Sequence, residues 1–333
     1  MTTETQRPSI RDRIRPIDAG ETVLAAHFLG ADAALALASG EIILAGETDR
    51  RLSLHAGGIL DSACDGSVLL TGGDDGRVLA MDRRGDLRRI HDSGGTWIDR
   101  VALGPSGAMA WSAGRKVFVA QAKGEPLSLS LPSAAGGIAF FPKGLRLAIA
   151  HYNGATLWYP NVQGDPVKLE WKGSHLGITV SADQRFVVTT MQDAQLHGWR
   201  LEDGQHMRMS GYPGKVRSFS WTQGGKFLAT SGAAEAILWP FSSKNGPMGA
   251  TPTMIAPAAK AGIKVTQVAG HPASPVIAAG FADGLILLCR IEDGAEILMR
   301  EPDGDAVTAL AWRADGKAVA FGTESGKAGL ASL

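Results

Sequence analysis

Two adjacent aspartates, Asp74 and Asp75, stand between glycines in the segment LLTGGDDGRVLAMD, residues 69–82. Neighbouring carboxylates of this kind could ligate a metal ion, or act as a general acid and a general base. The same letters also describe a β-hairpin, because a Gly- and Asp-rich turn separates two apolar runs. The pair is therefore either a reactive loop or part of a structural unit.

The other residues that could support chemistry form no recognisable site. The histidines lack the spacing of a zinc helix or a Cys/His zinc cluster. No Gly-x-Ser-x-Gly motif indicates a nucleophile elbow, and the Gly72-Gly73 pair precedes acidic residues rather than a phosphate-binding helix. We therefore predict no catalytic residue, no metal ligand and no cofactor. A metal site on a shared rim stays an alternative, since His55 and His91 are each expected to end a fourth strand.

The composition is that of a protein with a sizeable hydrophobic core and no net charge. Of the 333 residues 44% are hydrophobic, and 33 basic residues balance 33 acidic ones. Basic residues form no run longer than the pairs Arg83-Arg84 and Arg88-Arg89, so the charge pattern of a nucleic-acid-binding protein is absent. Cys64 and Cys289 lie far apart in apolar segments, which predicts buried free thiols.

No segment has the features of a membrane span or an export signal. The start, MTTETQRPSIRDRIRPID, is polar and charged, and apolar pieces such as LILLC have only the length of strands. We therefore expect a soluble, monomeric, cytoplasmic protein that binds neither nucleic acid nor membranes. The frequent Gly and Ala, with Arg preferred over Lys, suggest a bacterial source.

A turn followed by an apolar run recurs at intervals of roughly forty residues, the spacing of a four-stranded propeller blade. Within each copy, short runs of alternating apolar and small residues are separated by Gly, Asp, Asn or Pro, which predicts strands joined by tight turns. Eight copies are present, namely a looser one at 28–46 and others with turns at 64–73, 103–114, 140–150, 180–191, 221–232, 270–280 and 312–322.

These units predict an all-β protein, in which residues 1–333 form a single closed β-propeller of eight four-stranded antiparallel blades. A blade can bury its apolar faces only against neighbouring blades, so the array must close. Seven blades is the alternative if the looser first copy is incomplete. The last copy supplies only three strands, so residues 9–16 are predicted to add its outer strand, after a flexible N-terminus at 1–8. The Pro-, Ala- and Gly-rich segment 242–262 is predicted as a loop insertion in the sixth blade.

The units resemble those of the WD40-repeat family. In TGGDDGRVLAMD, Asp75 takes the place of the family's turn aspartate and Met81-Asp82 that of its Trp-Asp pair, and Asp193 and Asp283 occupy the same turn position in later units. The family's Gly-His pair is mostly missing, and Gly211-Tyr212 stands there in one unit. The buried Asp–His–Ser/Thr–Trp network of the family is therefore expected to be complete in no blade.

The opening question then has a structural answer. Asp75, Asp193 and Asp283 are predicted to cap the turns between second and third strands by accepting backbone N–H bonds. Such a bond contributes on the order of 1 kcal/mol to stability.

The resemblance implies a non-catalytic interaction scaffold that binds a protein or peptide on the propeller rim. The alternative is a propeller enzyme or metal-binding protein with a site at the central channel. Aromatic residues in rim loops are candidate anchors, because Trp and Tyr contribute strongly to interfaces, although each could instead pack over its own blade. With three histidines, the candidates are Trp97, Tyr152, Trp171, Tyr212, Phe281, His55, His91 and His151.

Overall fold

β-Strands, many of them buried along nearly their whole length, dominate the computed structural model, which describes residues 9–333. The predicted flexible segment 1–8 lies outside the described residues. Helical structure within residues 9–333 is limited to three short 3-10 turns, Ile10–Arg13, Pro105–Gly107 and Gln223–Gly225. No helix there has the length and apolar character needed to cross a membrane. The all-β prediction is confirmed.

The strands of residues 9–333 form seven antiparallel sheets, six of four strands and one of six. The first strand, β1 (Ile14–Asp18), belongs to the last sheet. Sheet 1 contains β2 (Val23–Leu29), β3 (Asp32–Leu37), β4 (Glu41–Ala45) and β5 (Arg50–Ser53). Sheet 2 contains β6 (Ile59–Cys64), β7 (Val68–Gly73), β8 (Arg77–Asp82) and β9 (Leu87–Asp92). Sheet 3 contains β10 (Ile98–Leu103), β11 (Met109–Ala113), β12 (Lys116–Ala120) and β13 (Leu127–Ser130).

The six-stranded sheet 4 follows, and three further four-stranded sheets complete the chain. Sheet 4 contains β14 (Gly137–Phe140), β15 (Leu147–Trp158), β16 (Val167–Val180), β17 (Phe186–Met191), β18 (Leu196–Arg200) and β19 (His206–Met209). Sheet 5 contains β20 (Phe219–Trp221), β21 (Phe227–Thr230), β22 (Ala236–Pro240) and β23 (Thr253–Ile255). Sheet 6 contains β24 (Val265–Gly270), β25 (Val276–Phe281), β26 (Ile286–Arg290) and β27 (Glu296–Arg300). Sheet 7 contains β28 (Val307–Trp312), β29 (Ala318–Thr323), β30 (Lys327–Ser332) and β1.

Each sheet is buried on both faces, because its two faces pack against different neighbours. In β3 the side chains of Ala33, Leu35 and Leu37 join the core shared with sheet 7, whereas Ala34 and Ala36 join the core shared with sheet 2. Successive residues of a strand point to opposite faces, so a strand covered on both sides reads as an unbroken apolar run. The inner strand β2 contacts the inner strands β28 and β6 of its two neighbours, which arranges the sheets in a ring.

The prediction of eight separate four-stranded blades is wrong, since the hydrogen-bonded sheets number seven, the stated alternative. The looser first copy is not the reason, because it forms the complete sheet 1. Instead, the fourth and fifth copies share sheet 4. Its strand β15 folds back at Asn153, where φ is +67°, and β16 changes its partner from β15 to β17 between Ser174 and His175. These connections are too short to interrupt the pairing, so one sheet spans two repeat lengths and packs its halves together around Leu157 and Trp199.

The chain closes the ring by pairing its beginning with its end. Strand β1 is antiparallel to β30, with Ile14 opposite Ala331 and Asp18 opposite Lys327. The predicted bounds of the closing strand, 9–16, are shifted, because Ile10–Arg13 form a 3-10 turn with a Ser9–Asp12 capping box. The outer strand of sheet 7 is therefore residues 14–18.

The segment 242–262 is not a continuous loop insertion. It contains the outer strand β23, so the extra length lies on both sides of a short strand that completes sheet 5. Because Pro, Gly and Ala are frequent in this segment, its sequence does not indicate the three-residue strand that pairs with β22.

Candidate interaction face

The predicted rim corresponds to one face of the ring. In an antiparallel four-stranded sheet, the loop entering the first strand and the turn between the second and third strands lie at the same end. We call this end of all sheets the upper face. The opposite end, with the turns between first and second and between third and fourth strands, is the lower face.

Asp75 links a turn of the upper face to the preceding loop. Its Oδ1 lies 2.9 Å from Nδ1 of His55 and accepts the N–H of Arg77, while its Oδ2 accepts the N–H of Ala56. Nε2 of the buried His55 lies 2.9 Å from Oγ1 of Thr71. Partial burial raises the pKa of Asp75, but the bonds from His55 and the two amides outweigh it and hold the pKa below its ordinary value.

Sheet 5 has a related network built around a tyrosine. The buried hydroxyl of Tyr212 lies 2.7 Å from Oγ1 of Thr230 and accepts a bond of 2.6 Å from Nε1 of Trp239. Burial raises the pKa of Tyr212 to about 12, so the phenol stays neutral. Tyr212 therefore serves the core, and its side chain cannot be the exposed anchor that we predicted.

Three further rim candidates are also buried. Phe281 is completely inaccessible, and His55 and His151 are each 6% exposed. His151 lies 2.9 Å from both the carbonyl of Tyr152 and Oγ1 of Thr156, so its nitrogens are used within the sheet. The prediction of surface contact is corrected for these residues, because each completes a core or a buried hydrogen-bond network.

Trp171 and His91 are partly buried against other rings. Trp171 stacks on His197 with centroids 4.1 Å apart and planes inclined by 15°. His197 is fully buried, and neither of its ring nitrogens has a hydrogen-bond partner among residues 9–333. Burial, with the neighbouring His206 and His175, lowers its pKa to about 3. His91 lies 5.1 Å from the ring of Trp111, and burial lowers its pKa below the ordinary value.

Trp97 and Tyr152 are the candidates that remain exposed. Their side chains are 59% and 58% exposed, Trp97 in the loop before β10 and Tyr152 in the turn of β15, both on the upper face.

The predicted turn aspartates Asp283 and Asp193 differ in their hydrogen bonds. Asp283 accepts the N–H of Leu285 at 3.2 Å, whereas Asp193 is exposed and its carboxylate has no hydrogen bond within the described chain.

A cavity at the mouth of the central channel was not foreseen from the sequence. It has a volume of about 520 Å³ and opens on the upper face between sheets 5, 6, 7 and 1. Lys215, Arg217 and Lys264 line one side and Glu324 another. Nζ of Lys264 donates to the carbonyl of Pro213 at 3.2 Å, which holds that side chain across the loop. These cations come from loops about fifty residues apart, so no local pattern indicates that they meet.

Comparison with known proteins agrees with this geometry. The profile of the family described as Anaphase-promoting complex subunit 4 WD40 domain matches residues 271–333, the part that contains β25–β30. Residues 271–333 thus carry WD40-type sequence, and the described residues form a β-propeller. Among solved structures it resembles the computationally designed Ika8 protein, with 18% identity, a TM-score of 0.75, and coverage of 95% of this chain and 98% of that one. At this identity the likeness concerns the fold alone. No curated protein matches the chain.

The inner strands of this propeller are tied together by side chains that reach the backbone of the next sheet. Thr266 donates to the carbonyl of Val307 at 2.7 Å, and Thr308 donates to that of Val23 at 2.6 Å. In the same way Oδ2 of Asp61 accepts the N–H of Val101 at 2.9 Å. Such bonds fix neighbouring sheets around the channel.

The pKa values of two titratable groups in the channel wall are shifted in opposite directions. Burial raises the pKa of Asp61 to about 6 despite bonds from Val101 and Ser62, and burial lowers the pKa of His27 to about 4. Nε2 of His27 lies 2.9 Å from Oγ of Ser62. Within residues 9–333 no three His, Cys, Asp or Glu side chains form a metal-holding group.

We expect Asp61→Asn to stabilise the protein at pH 8 by about 1–2 kcal/mol and to have little effect at pH 4. The pKa of Asp61 in the folded protein lies above its unfolded value of about 4. The carboxylate therefore costs stability above pH 6, and that cost disappears as the pH falls from about 6 to 4. The asparagine oxygen still accepts the N–H of Val101. Melting temperatures of both proteins across this pH range test the prediction, and a constant difference would contradict it.

Proposed function

We propose that this WD40 propeller is a non-catalytic scaffold that binds a protein or peptide partner on its upper face. The observation that carries the proposal is the exposure of Trp97 and Tyr152. Of the eight tryptophans and three tyrosines of the chain, these are the only two that are exposed, and both lie on the same face. All eleven lie within residues 9–333. Elsewhere the chain uses these residue types to fill its interior.

Exposed Trp and Tyr are favourable anchors because they bury a large area at little cost in conformational entropy. Both are attached to strands. Trp97 directly precedes β10, and the backbone N–H of Tyr152 donates to Oγ of Ser133 at 2.9 Å, which ties the β15 turn to the neighbouring loop. The anchors are therefore preorganised, and little freedom is lost when a partner binds.

The charge at the channel mouth indicates the chemistry of the partner. Lys215, Arg217 and Lys264 outnumber Glu324 around the cavity, which favours a partner segment carrying carboxylates. We further propose that the protein acts in the cytoplasm, because Cys64 and Cys289 are both free thiols, as is usual in reducing compartments.

The double variant Trp97→Ala, Tyr152→Ala is expected to weaken partner binding by at least about thirtyfold, since an anchor of this type contributes about 2 kcal/mol or more. Partners are first captured from a lysate of the source organism with the natural protein and identified. The dissociation constant of a purified partner is then measured with both forms. The matched control is Val162→Ala, because Val162 is 66% exposed but lies on the lower face.

Equal affinity of the double variant and the natural protein would overturn the upper-face proposal. The same loss in Val162→Ala would point to a general effect of surface apolar residues. Turnover of a captured small molecule by the purified protein would contradict the non-catalytic part of the proposal.

A further inference from the structure

We propose a second, lateral binding site, in which an extended peptide with alternating acidic and apolar residues adds a strand to the outer edge of β19. This site lies on the side of the propeller, away from the upper face. It does not depend on the function proposed above.

Strand β19 borders an open groove along its whole length. It is the last strand of sheet 4, and within the part of the chain that the structure describes it pairs only with β18. A cavity of about 530 Å³ is lined by all of residues 205–210 on one side and by residues 247–252 on the other. This volume lies within the range of ordinary ligand pockets. Six consecutive lining residues correspond to an extended stretch of about 20 Å, enough for a short strand.

The far wall of the groove is fixed in place. Residues 247–252 belong to the segment between β22 and β23, and that segment is anchored by a 2.7 Å hydrogen bond from Nη1 of Arg200 to Oδ1 of Asn245. Phe241, at its start, packs edge-on against Phe186 with centroids 5.3 Å apart. The groove is therefore preformed, and a peptide need not order the loop when it binds.

The backbone of β19 presents hydrogen-bonding groups to this groove. The N–H of Arg200 donates to the carbonyl of Gln205, so the backbone groups of residue 205 are directed toward β18. In an antiparallel ladder, alternate residues direct their N–H and C=O groups to opposite edges. Consequently His206 and Arg208 direct theirs outward, where an added strand can pair with them.

The side chains of β19 specify the pattern of the peptide. Met207 and Met209 are buried on the face shared with Trp239, whereas His206 and Arg208 are exposed on the other face. Arg208 donates to the Gln195 side chain and takes part in no ion pair within the described chain. Among the described residues no Asp or Glu lines the groove.

An added strand has the same alternation as β19, and opposite charges directly across a strand pair are favourable. Acidic residues of the peptide would then lie opposite His206 and Arg208. Its apolar residues would lie opposite Met207 and Met209, between them and the Pro-rich wall. This chemistry defines the occupant as an extended peptide with an acidic face and an apolar face.

The test uses fluorescently labelled synthetic peptides and measures their dissociation constants by anisotropy. The first probe alternates Glu and Val, the second alternates Lys and Val, and the third has the composition of the first with all Glu before all Val. A fourth repeats the first with methylated amide nitrogens at alternate residues. Only the first probe is expected to bind. Equal binding of the methylated peptide would overturn strand addition, and equal binding of the third would overturn the alternating pattern.

Arg208→Glu is expected to weaken the Glu-Val peptide about tenfold and to permit binding of the Lys-Val peptide, because one cross-strand attraction becomes a repulsion. The matched control is Arg88→Glu, an exposed arginine on the outer strand β9, which should leave both affinities unchanged. Should Arg208→Glu fold poorly, Arg208→Gln is expected to weaken the Glu-Val peptide by a smaller factor. Trp97→Ala should have no effect on peptide binding, so failure here and failure of the upper-face proposal are separable. Unchanged affinity in both Arg208 variants would overturn the site.

Discussion

Deleting residues 1–18 is expected to lower the free energy of unfolding by roughly 4–5 kcal/mol and to broaden the unfolding transition. The deletion removes β1, its hydrogen bonds to β30 and the buried side chain of Ile17. Each lost backbone bond contributes about 1 kcal/mol, and a buried isoleucine about 2 kcal/mol, partly offset by the entropy of the freed segment. It also leaves β30 as an unprotected edge, which favours aggregation.

Urea denaturation followed by circular dichroism measures the loss, and a synthetic peptide of residues 9–18 provides the rescue. Added in excess, the peptide should restore stability in proportion to the logarithm of its concentration. Arg15→Ala within the intact chain is the control, because the exposed Arg15–Asp49 ion pair at 2.8 Å contributes less than about 1 kcal/mol. A deletion variant as stable as the natural protein would show that the ring does not need this strand.

The second large effect is expected for Asp75→Ala, with a loss of about 3 kcal/mol. The substitution removes the acceptor of two backbone N–H groups and of His55, and it leaves a buried histidine nitrogen without its partner. Asp193→Ala is the matched control, since Asp193 stands at the same turn position but is exposed and has no side-chain bond within the described chain. We expect a change below about 0.5 kcal/mol for it. Equal losses in the two variants would mean that turn geometry alone, and not the network, determines the effect.

The Asp75 effect should also depend on pH. The pKa of Asp75 is below its ordinary value in the folded protein. Its contribution is therefore fully present above the unfolded pKa of about 4 and is lost as the pH falls through the folded value. The difference in stability between the natural protein and Asp75→Ala should accordingly shrink below pH 4.

Features set by local alternation and turn chemistry were predictable from the sequence. Successive residues of β3 point to opposite faces of the sheet, so its unbroken apolar run indicates that both faces are covered. The role of the aspartate in the 73–77 turn follows from the ability of Asp to accept backbone N–H bonds. The chain-end pairing was also foreseen, although Ser9 and Asp12 start a 3-10 turn that shifts the strand. The joining of two copies in sheet 4 was not, because it depends on whether a short connection interrupts hydrogen bonding, which composition does not determine.

The candidate site was less predictable, because exposure is decided by contacts between distant residues. Tyr212 and Tyr152 are both predicted rim tyrosines, yet Thr230 and Trp239 bury the first while the second stays in solvent. Likewise the role of Arg208 arises only when the far wall of the groove, some forty residues later in the chain, is brought beside β19.

The arrangement of β1 beside β30 also determines how the molecule responds to tension. Strand β1 begins at Ile14, and Ala331, near the end of β30, lies directly opposite, so the start of β1 and the end of β30 lie at the same end of the pair. A force that pulls the termini apart therefore loads the hydrogen bonds one after another, as in a zipper, rather than all together in shear. If the protein linked two attached molecules under tension, we expect the pairing of β1 with β30 to break first, while the other sheets stay folded.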